Sequence, residues 1–399
     1  MARRPVVEFD HFAHRSLSES DEAWRDLRER CPVAWTEANG GHWIVTRYDE
    51  VATAFRDWET FSSARNHPSR SSLTIGEPPM PLLVPEELDP PAWHPYRRIL
   101  AELLSPKAVQ RMRPRVVHWV THHVDRIVAA GAGDLAHDLA VPVPAHVTME
   151  WLGWPQDEWM EAAAVFHDMA RHPWESPAFA EAGLKFGWLA GRIREEVTER
   201  RERPRDDVMS TIAHHDVDGE VISVDDACAM VLLAIGGGVD TTTSLTSAAL
   251  VHLGRHPDDR RRLLEDRSLL PAATEEFLRV YPPARTHART VARDTVLGGC
   301  PMQAGDRVLL SEVSACHDER EFPDADRFVL DRSPNRHVAF GMGIHRCPGS
   351  HLARLEFTEM LTQVLDRMPG YVLDEEGTVE YPNWSAIGGW GRIPVRVTP

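Results

Sequence analysis

Residues 340–349, FGMGIHRCPG, set three glycines, a histidine and an arginine around one cysteine, with a proline directly after it. Glycine lets main chain approach a flat or bulky ligand closely, so Cys347 reads as a side chain presented to something. A second constellation lies upstream, where Gly236-Gly237-Gly238 precedes Asp240 and Thr241. A carboxylate and a hydroxyl at one level of an apolar helix can pass protons to any atom within hydrogen-bond reach, directly or through one water. In EEFLRVYPP, Glu276 and Arg279 fall on one helical face, and EFPDADRF further on carries Arg327. On a surface such a pair contributes a few tenths of a kcal/mol. If the three charges met in the interior, losing one would leave the others unpaired, at about 3–5 kcal/mol. Arg97, Arg289 and His345 come from separate segments. They gain meaning together beside a ligand with carboxylates, which guanidinium groups clamp well.

The elements that must position these residues are mostly helical. Ser223-Val-Asp-Asp offers an N-cap with an acid three residues on. The apolar stretch that follows is predicted to stop at Gly254, with Pro257 beyond. About 30 residues make roughly 45 Å of helix, long enough to cross the molecule and apolar enough to be central. Its three interior glycines forgo about 1 kcal/mol each relative to alanine. That favours a helix opened so that ligand and water lie against its backbone. The chain from Ala92 to about Gly254 has a helical pattern, interrupted by RHPWESPAF at 171–179. Earlier, apolar runs flank Asn39-Gly40-Gly41, a hairpin signal. Residues 62–92 hold too many prolines for a regular element and read as a stiff loop, either on the surface or lining a site.

The bulk properties set outer limits. The chain has 399 residues and shows no linker, repeat or composition break, which favours one helix-rich domain over 1–399. A formal charge of −17 argues against a nucleic-acid binder. Five cysteines without a CxxC pair argue against a zinc site or a disulfide framework. The first residues are basic but lack an apolar run, and no stretch of about 18 apolar residues occurs. The expectation is a cytoplasmic protein with no membrane anchor.

Taken together, FGMGIHRCPG followed by HLARLE, the GGVDTT helix, ExxR and FPDADRF resemble the cytochrome P450 family, in its soluble bacterial form. The resemblance spans most of the chain, from GGHWIVTRYDEV to GRIPVRV. It implies a mainly α fold with a small β region, and haem between a long kinked distal helix and the proximal Cys-loop helix. Cys347 would be the thiolate ligand of haem b, iron protoporphyrin IX, donating electron density toward O–O cleavage. Phe340, Gly341 and Gly349 would lie against the porphyrin, and Arg97, Arg289 and His345 would hold its propionates. Asp240 and Thr241 would deliver protons during activation of O2, with Gly237 and Gly238 forming the groove that admits it. Glu276, Arg279 and Arg327 would form a buried structural triad. Two positions depart from the family pattern. Trp93 stands where many relatives hold a propionate-binding histidine, with His94 shifted by one, so Trp93 is the substitute donor. Pro348 stands where leucine is usual and removes one N–H that could reach the thiolate.

The implied reaction is monooxygenation of a small-to-medium hydrophobic compound, such as a terpenoid, steroid or other intermediate of secondary metabolism. Without a flavin or reductase motif, electrons would come from NAD(P)H through a ferredoxin reductase and a ferredoxin to a monomeric enzyme. Arg111, Arg113, Arg115 and Arg346 would form the docking face, steered electrostatically. By resemblance the substrate would be lined by parts of 62–88 and 171–186, and by Leu233, Gly237, Val239, Arg285, His287, Ala386 and Ile387. Two other readings stay open: a peroxide-driven enzyme of the same fold, and a haem-thiolate sensor or carrier without catalysis.

Overall fold

The computed structural model describes residues 4–13, 16–67, 70–76, 80–172, 176–382 and 387–397. The turn signal at Asn39-Gly40-Gly41 acts as expected. All three residues take positive φ, at 53°, 87° and 84°, and strands Val33–Thr36 and His42–Val45 pair antiparallel around them. These strands open a five-stranded sheet that continues through Arg307–Ser311 and Thr286–Val291 to Phe61–Ser62. Only the contact between His42–Val45 and Arg307–Ser311 is parallel. The two-residue period of strand Thr286–Val291 puts His287 and Arg289 on one face.

Helices α1 (Leu17–Arg30) and α2 (Tyr48–Arg56) pack beside this sheet, and α3 (Trp93–Leu103) starts after the proline-rich loop. Then come α4 (Pro106–Ala130), α5 (Pro142–Leu152), α6 (Trp159–Arg171), α7 (Pro177–Glu202), α8 (Val208–Ala213) and α9 (Val224–Arg255). The chain ends through α10 (Pro257–Glu265), α11 (Leu270–Val280), α12 (Glu312–Cys316) and α13 (Ser350–Arg367). Helix starts are written in the sequence. Ser105, Ser176, Asp207 and Ser223 each accept, through a side-chain oxygen, the N–H three residues on, which satisfies a donor the helix leaves free. The helical pattern expected from Ala92 to about Gly254, with its break at 171–179, did not show the short pair Asp216–Val217 and Glu220–Val221.

At 32 residues α9 is the axis of the molecule. Helices α5, α6, α7, α8 and α13 all pack on it. Among the described residues it is the one helix long and apolar enough to cross a membrane, and it lies in the core instead. It ends at Arg255, one residue past the predicted stop, because Gly254 is a packing position. A Cβ there would run into the side chain of Leu373. The largest buried cluster joins α4, α5, α7, α9 and α13 through residues such as Val124, Leu189, Ile235 and Val364. A second lies under the sheet around Trp43, Phe55 and Val308. A third, with Leu253, Phe277 and Leu361, supports α11.

Candidate active site

The loop at 340–349 and the middle of α9 face each other across a cavity of ≈ 260 Å³. Cys347 lines it from the loop, and Gly237, Gly238 and Thr241 line it from the helix. The cysteine loop is shaped by its backbone. The Cys347 N–H donates to the Phe340 carbonyl at 2.8 Å, Gly341 sits at φ +63°, and Arg354 covers the outer face of the Phe340 ring at 4.5 Å. Gly343, at φ +69°, runs so close to Phe55 that a Cβ would meet its carbonyl oxygen. Burial pushes the Cys347 thiol up, while the Gly349 N–H and the Arg97 charge pull the other way.

Trp93, Arg97, Arg289, His345, Phe340, Gly341 and Gly349 all line the same cavity. Arg97 donates to the Arg346 carbonyl and lies 5.9 Å from the Trp93 ring. Trp93 also packs edge-on to His345, with ring centroids 6.0 Å apart, whereas His94 is exposed. Arg289 is 4% exposed and donates to the Ala288 carbonyl at 2.7 Å. Burial lowers its pKa, although Glu312, Glu86 and Asp89 draw it back. His345 Nε2 is buried without a hydrogen-bond partner, 3.9 Å from Asp89, and burial lowers its pKa.

The backbone of α9 stays helical through its glycines. Thr241 Oγ1 donates to the Gly237 carbonyl at 2.9 Å, a back-bond that bends helices. Of the three glycines only Gly237 faces open space. A Cβ on Gly236 would meet the Phe166 ring at 2.9 Å, and one on Gly238 would meet Thr148 Oγ1 at 2.6 Å.

The structural triad needs one correction. Glu276 takes the Arg279 Nε–H and Nη2–H, both at 2.8 Å, and both side chains are fully buried. The third cation is Arg332, whose Nε lies 3.0 Å from Glu276. Arg327 gives its carbonyl oxygen to Arg279 instead, at 2.9 Å. Asn335 and the Val329 N–H complete the carboxylate's shell.

Substrate-side expectations divide. Leu233 and His287 line the cavity. Val239 does not: two residues round the helix from Gly237, it packs with Ala145 and Ala163. Arg285 turns away to Asp21 and Ser20 on α1. Ile387 pairs with Ala284 in an isolated bridge, outside the cavity lining. Ala386 lies outside the described residues, as do parts of 62–88 and 171–186. Among described residues those two segments give the cavity Pro85 and Glu86, and nothing from 171–186. His287 bonds the buried Glu312 through Nδ1. Burial alone would lower its pKa, but the Glu312 and Glu86 charges outweigh that and raise it.

Sequence reasoning passed over Glu86, Thr148 and Glu356, all cavity residues. Glu356 belongs to the HLARLE run and was readable only as pattern. It is 1% exposed, with Oε2 unpartnered, and burial raises its pKa well above the usual carboxylate range.

Comparison with known proteins decides the family. The profile described as Cytochrome P450 matches residues 189–369. Cytochrome P450 130 of Mycobacterium tuberculosis is 31% identical over 389 residues, covering 94% of this chain and 93% of that protein. The chain belongs to the cytochrome P450 family. A steroid C26-monooxygenase of Mycolicibacterium smegmatis is 31% identical, covering 100% of this chain and 98% of that protein. Among solved structures, a Mycobacterium marinum cytochrome P450 in complex with pseudoionone superposes with a TM-score of 0.89 at 27% identity, covering 99% and 100% of the two chains. The fold is therefore the mainly α P450 fold, and the protein is a P450 monooxygenase, an oxidoreductase of a family that uses haem and O2.

The residues present fit a haem. Cys347 stands in the lining of an otherwise largely apolar cavity, which suits a single thiolate ligand to an iron that a macrocycle would bring in. Buried Arg289, whose one described acceptor is a neighbouring carbonyl, and the unpartnered His345 Nε2 leave donors for carboxylates at the cavity edge.

Proposed function

We propose that this P450 inserts one oxygen atom of O2 into a small-to-medium apolar substrate, with electrons from NAD(P)H through a ferredoxin reductase and a ferredoxin. The observation that carries it is that Cys347 and Thr241, from two distant segments, line one cavity. Bound there, haem iron supplies the activation of O2. This chain's own residues do the rest. Cys347 ligates, while Arg97, Arg289 and His345 hold the propionates, with Trp93 beside them in place of a histidine. Thr241 hands on protons at the Gly237 level of α9, where it lines the cavity, and Asp240, whose carboxylate turns to His167 of α6, supplies them from behind. Leu233, Ala234 and Ala284 exclude water from the reacting carbon. His287, whose pKa the Glu312 and Glu86 charges raise, is the group offered to a polar end of the substrate.

Relatives narrow the substrate class only by analogy, since one is named for steroid oxidation and one solved structure holds pseudoionone. Both compounds are apolar and carry one oxygen function or few, which suits this wall. We assign the protein a single domain, a monomeric state and a cytoplasmic place of action. The ferredoxin would approach exposed Arg111 and Arg346, since Arg113 and Arg115 already face Glu359 and Glu150.

The first test is the absorbance difference spectrum of dithionite-reduced protein with and without carbon monoxide. A strongly red-shifted Soret band establishes the cysteinate–haem site, and its absence in Cys347→Ser confirms the ligand. A Soret position typical of histidine or thiol ligation overturns the reading. Turnover with hydrogen peroxide but not with ferredoxin, reductase and NAD(P)H would replace the proposed electron route.

A further inference from the structure

Asp240 and Thr241 are neighbours on α9, and the helical step of about 100° keeps them from facing the same wall. Thr241 lines the cavity, while Asp240 turns to α6. There its Oδ1 lies 2.5 Å from Nδ1 of His167, and the side chains of His167 and Asp240 are 8% and 6% exposed. The approach is close without being aligned: Oδ1 has no well-directed donor, and His167 Nε2 has no partner. A buried carboxylate is costly unless paired. Among the residues whose side chains are described, His167 is the ionisable partner of Asp240, and its ring fixes the direction of the carboxylate. The neighbouring Asp168 faces outward instead and pairs with Lys185 at 2.6 Å.

The seating of α6 explains how His167 arrives there. Phe166, the preceding residue, fills the space left by Gly236, and Thr148 of α5 fills that of Gly238. The Phe166–Gly236 contact therefore sets the register of α6 on α9, and that register carries His167 onto Asp240. We infer that His167 is a positioning residue for the reaction: it sets the direction of the Asp240 carboxylate beside Thr241 and ties it to the seating of α6. The inference rests on the reading in which Asp240 and Thr241 hand on protons.

The test uses haem-loaded protein with a surrogate ferredoxin and reductase, NADH and O2, and no organic substrate. Oxygen consumption and the share released as hydrogen peroxide are read for wild type, His167→Leu, His167→Gln and Asp240→Asn. His167→Leu removes the ring that holds the carboxylate in place and should slow oxygen consumption by about tenfold, as misplacement of a reacting group does, and raise the peroxide share. His167→Gln, which keeps an N–H, should recover at least half of the rate. A second readout needs no turnover. The infrared carboxylate band lost in Asp240→Asn should shift in His167→Leu and return in His167→Gln. Equal losses in the Leu and Gln variants, or an unshifted band, overturn the proposal as mere space filling. A slow Asp240→Asn beside a fast His167→Leu overturns it alone. An Asp240→Asn variant as fast as wild type overturns the role of Asp240, and the proposal with it.

Discussion

At the scale of single residues, Pro348 is the position most open to a direct test. It lines the cavity beside Cys347, and the backbone donor acting on the sulfur is the Gly349 N–H, one residue on. A leucine would add a second N–H next to the thiolate, where proline has none. Hydrogen bonds to a ligating sulfur withdraw charge from it and so disfavour the oxidised metal. Redox titration of Pro348→Leu should therefore give an iron potential above that of the wild type. An unchanged or lower potential would show that this amide does not act on the sulfur. The cysteine itself was legible from its glycine-rich loop, since that loop is local in sequence. The partners of Glu276 were legible only in part. Arg279 lies one helical turn away, but choosing between Arg327 and Arg332 depends on how a loop more than 50 residues on folds back.

At the scale of elements, that correction becomes a stability experiment on the support under α11. Glu276 and Arg279 are fully buried, and Arg332 is 8% exposed at its side chain. Arg332→Ala should cost about 3 kcal/mol in urea unfolding, because a buried carboxylate loses a charged partner. Arg327→Ala, whose contribution is a backbone carbonyl, should stay within about 0.5 kcal/mol. Similar losses in the two variants would restore Arg327 to the triad. The glycines of α9 make a second pair. Gly237→Ala adds a methyl that meets nothing within 4 Å and should stabilise the helix by up to about 1 kcal/mol. Gly238→Ala drives a Cβ to 2.6 Å from Thr148 Oγ1 and should lower the thermal midpoint. The opposite order would mean that Gly237 does not face open space. The length and N-cap of α9 were readable because both are local. What each glycine is for was not, since Phe166 and Thr148 come from helices 70 and 90 residues earlier in the chain.

At the scale of the whole molecule, the fold class followed from four motifs in order, whereas its response to acid depends on histidines that no motif marks. His11, His42, His123 and His252 all have pKa values brought down to about 4, in each case first by burial. They sit in unrelated places. His11 and His42 lie near the N-terminal strands with rings 5.8 Å apart, His123 is on α4, and His252 is on α9 beside Tyr281 and Asp259. In the unfolded chain each would titrate near 6.5. Between pH 6.5 and 4 these four rings therefore bind more protons in the unfolded state than in the folded one, and their contribution to stability falls as pH falls through that window. The contribution is fully present above about pH 6.5 and lost near pH 4. Urea unfolding at steps of pH between 7 and 4 should show a steady decline, and His42→Gln should make it shallower by removing one of the four groups. A His42→Gln profile as steep as the wild type's would mean that this ring takes up its proton inside the fold, and that burial does not hold it neutral.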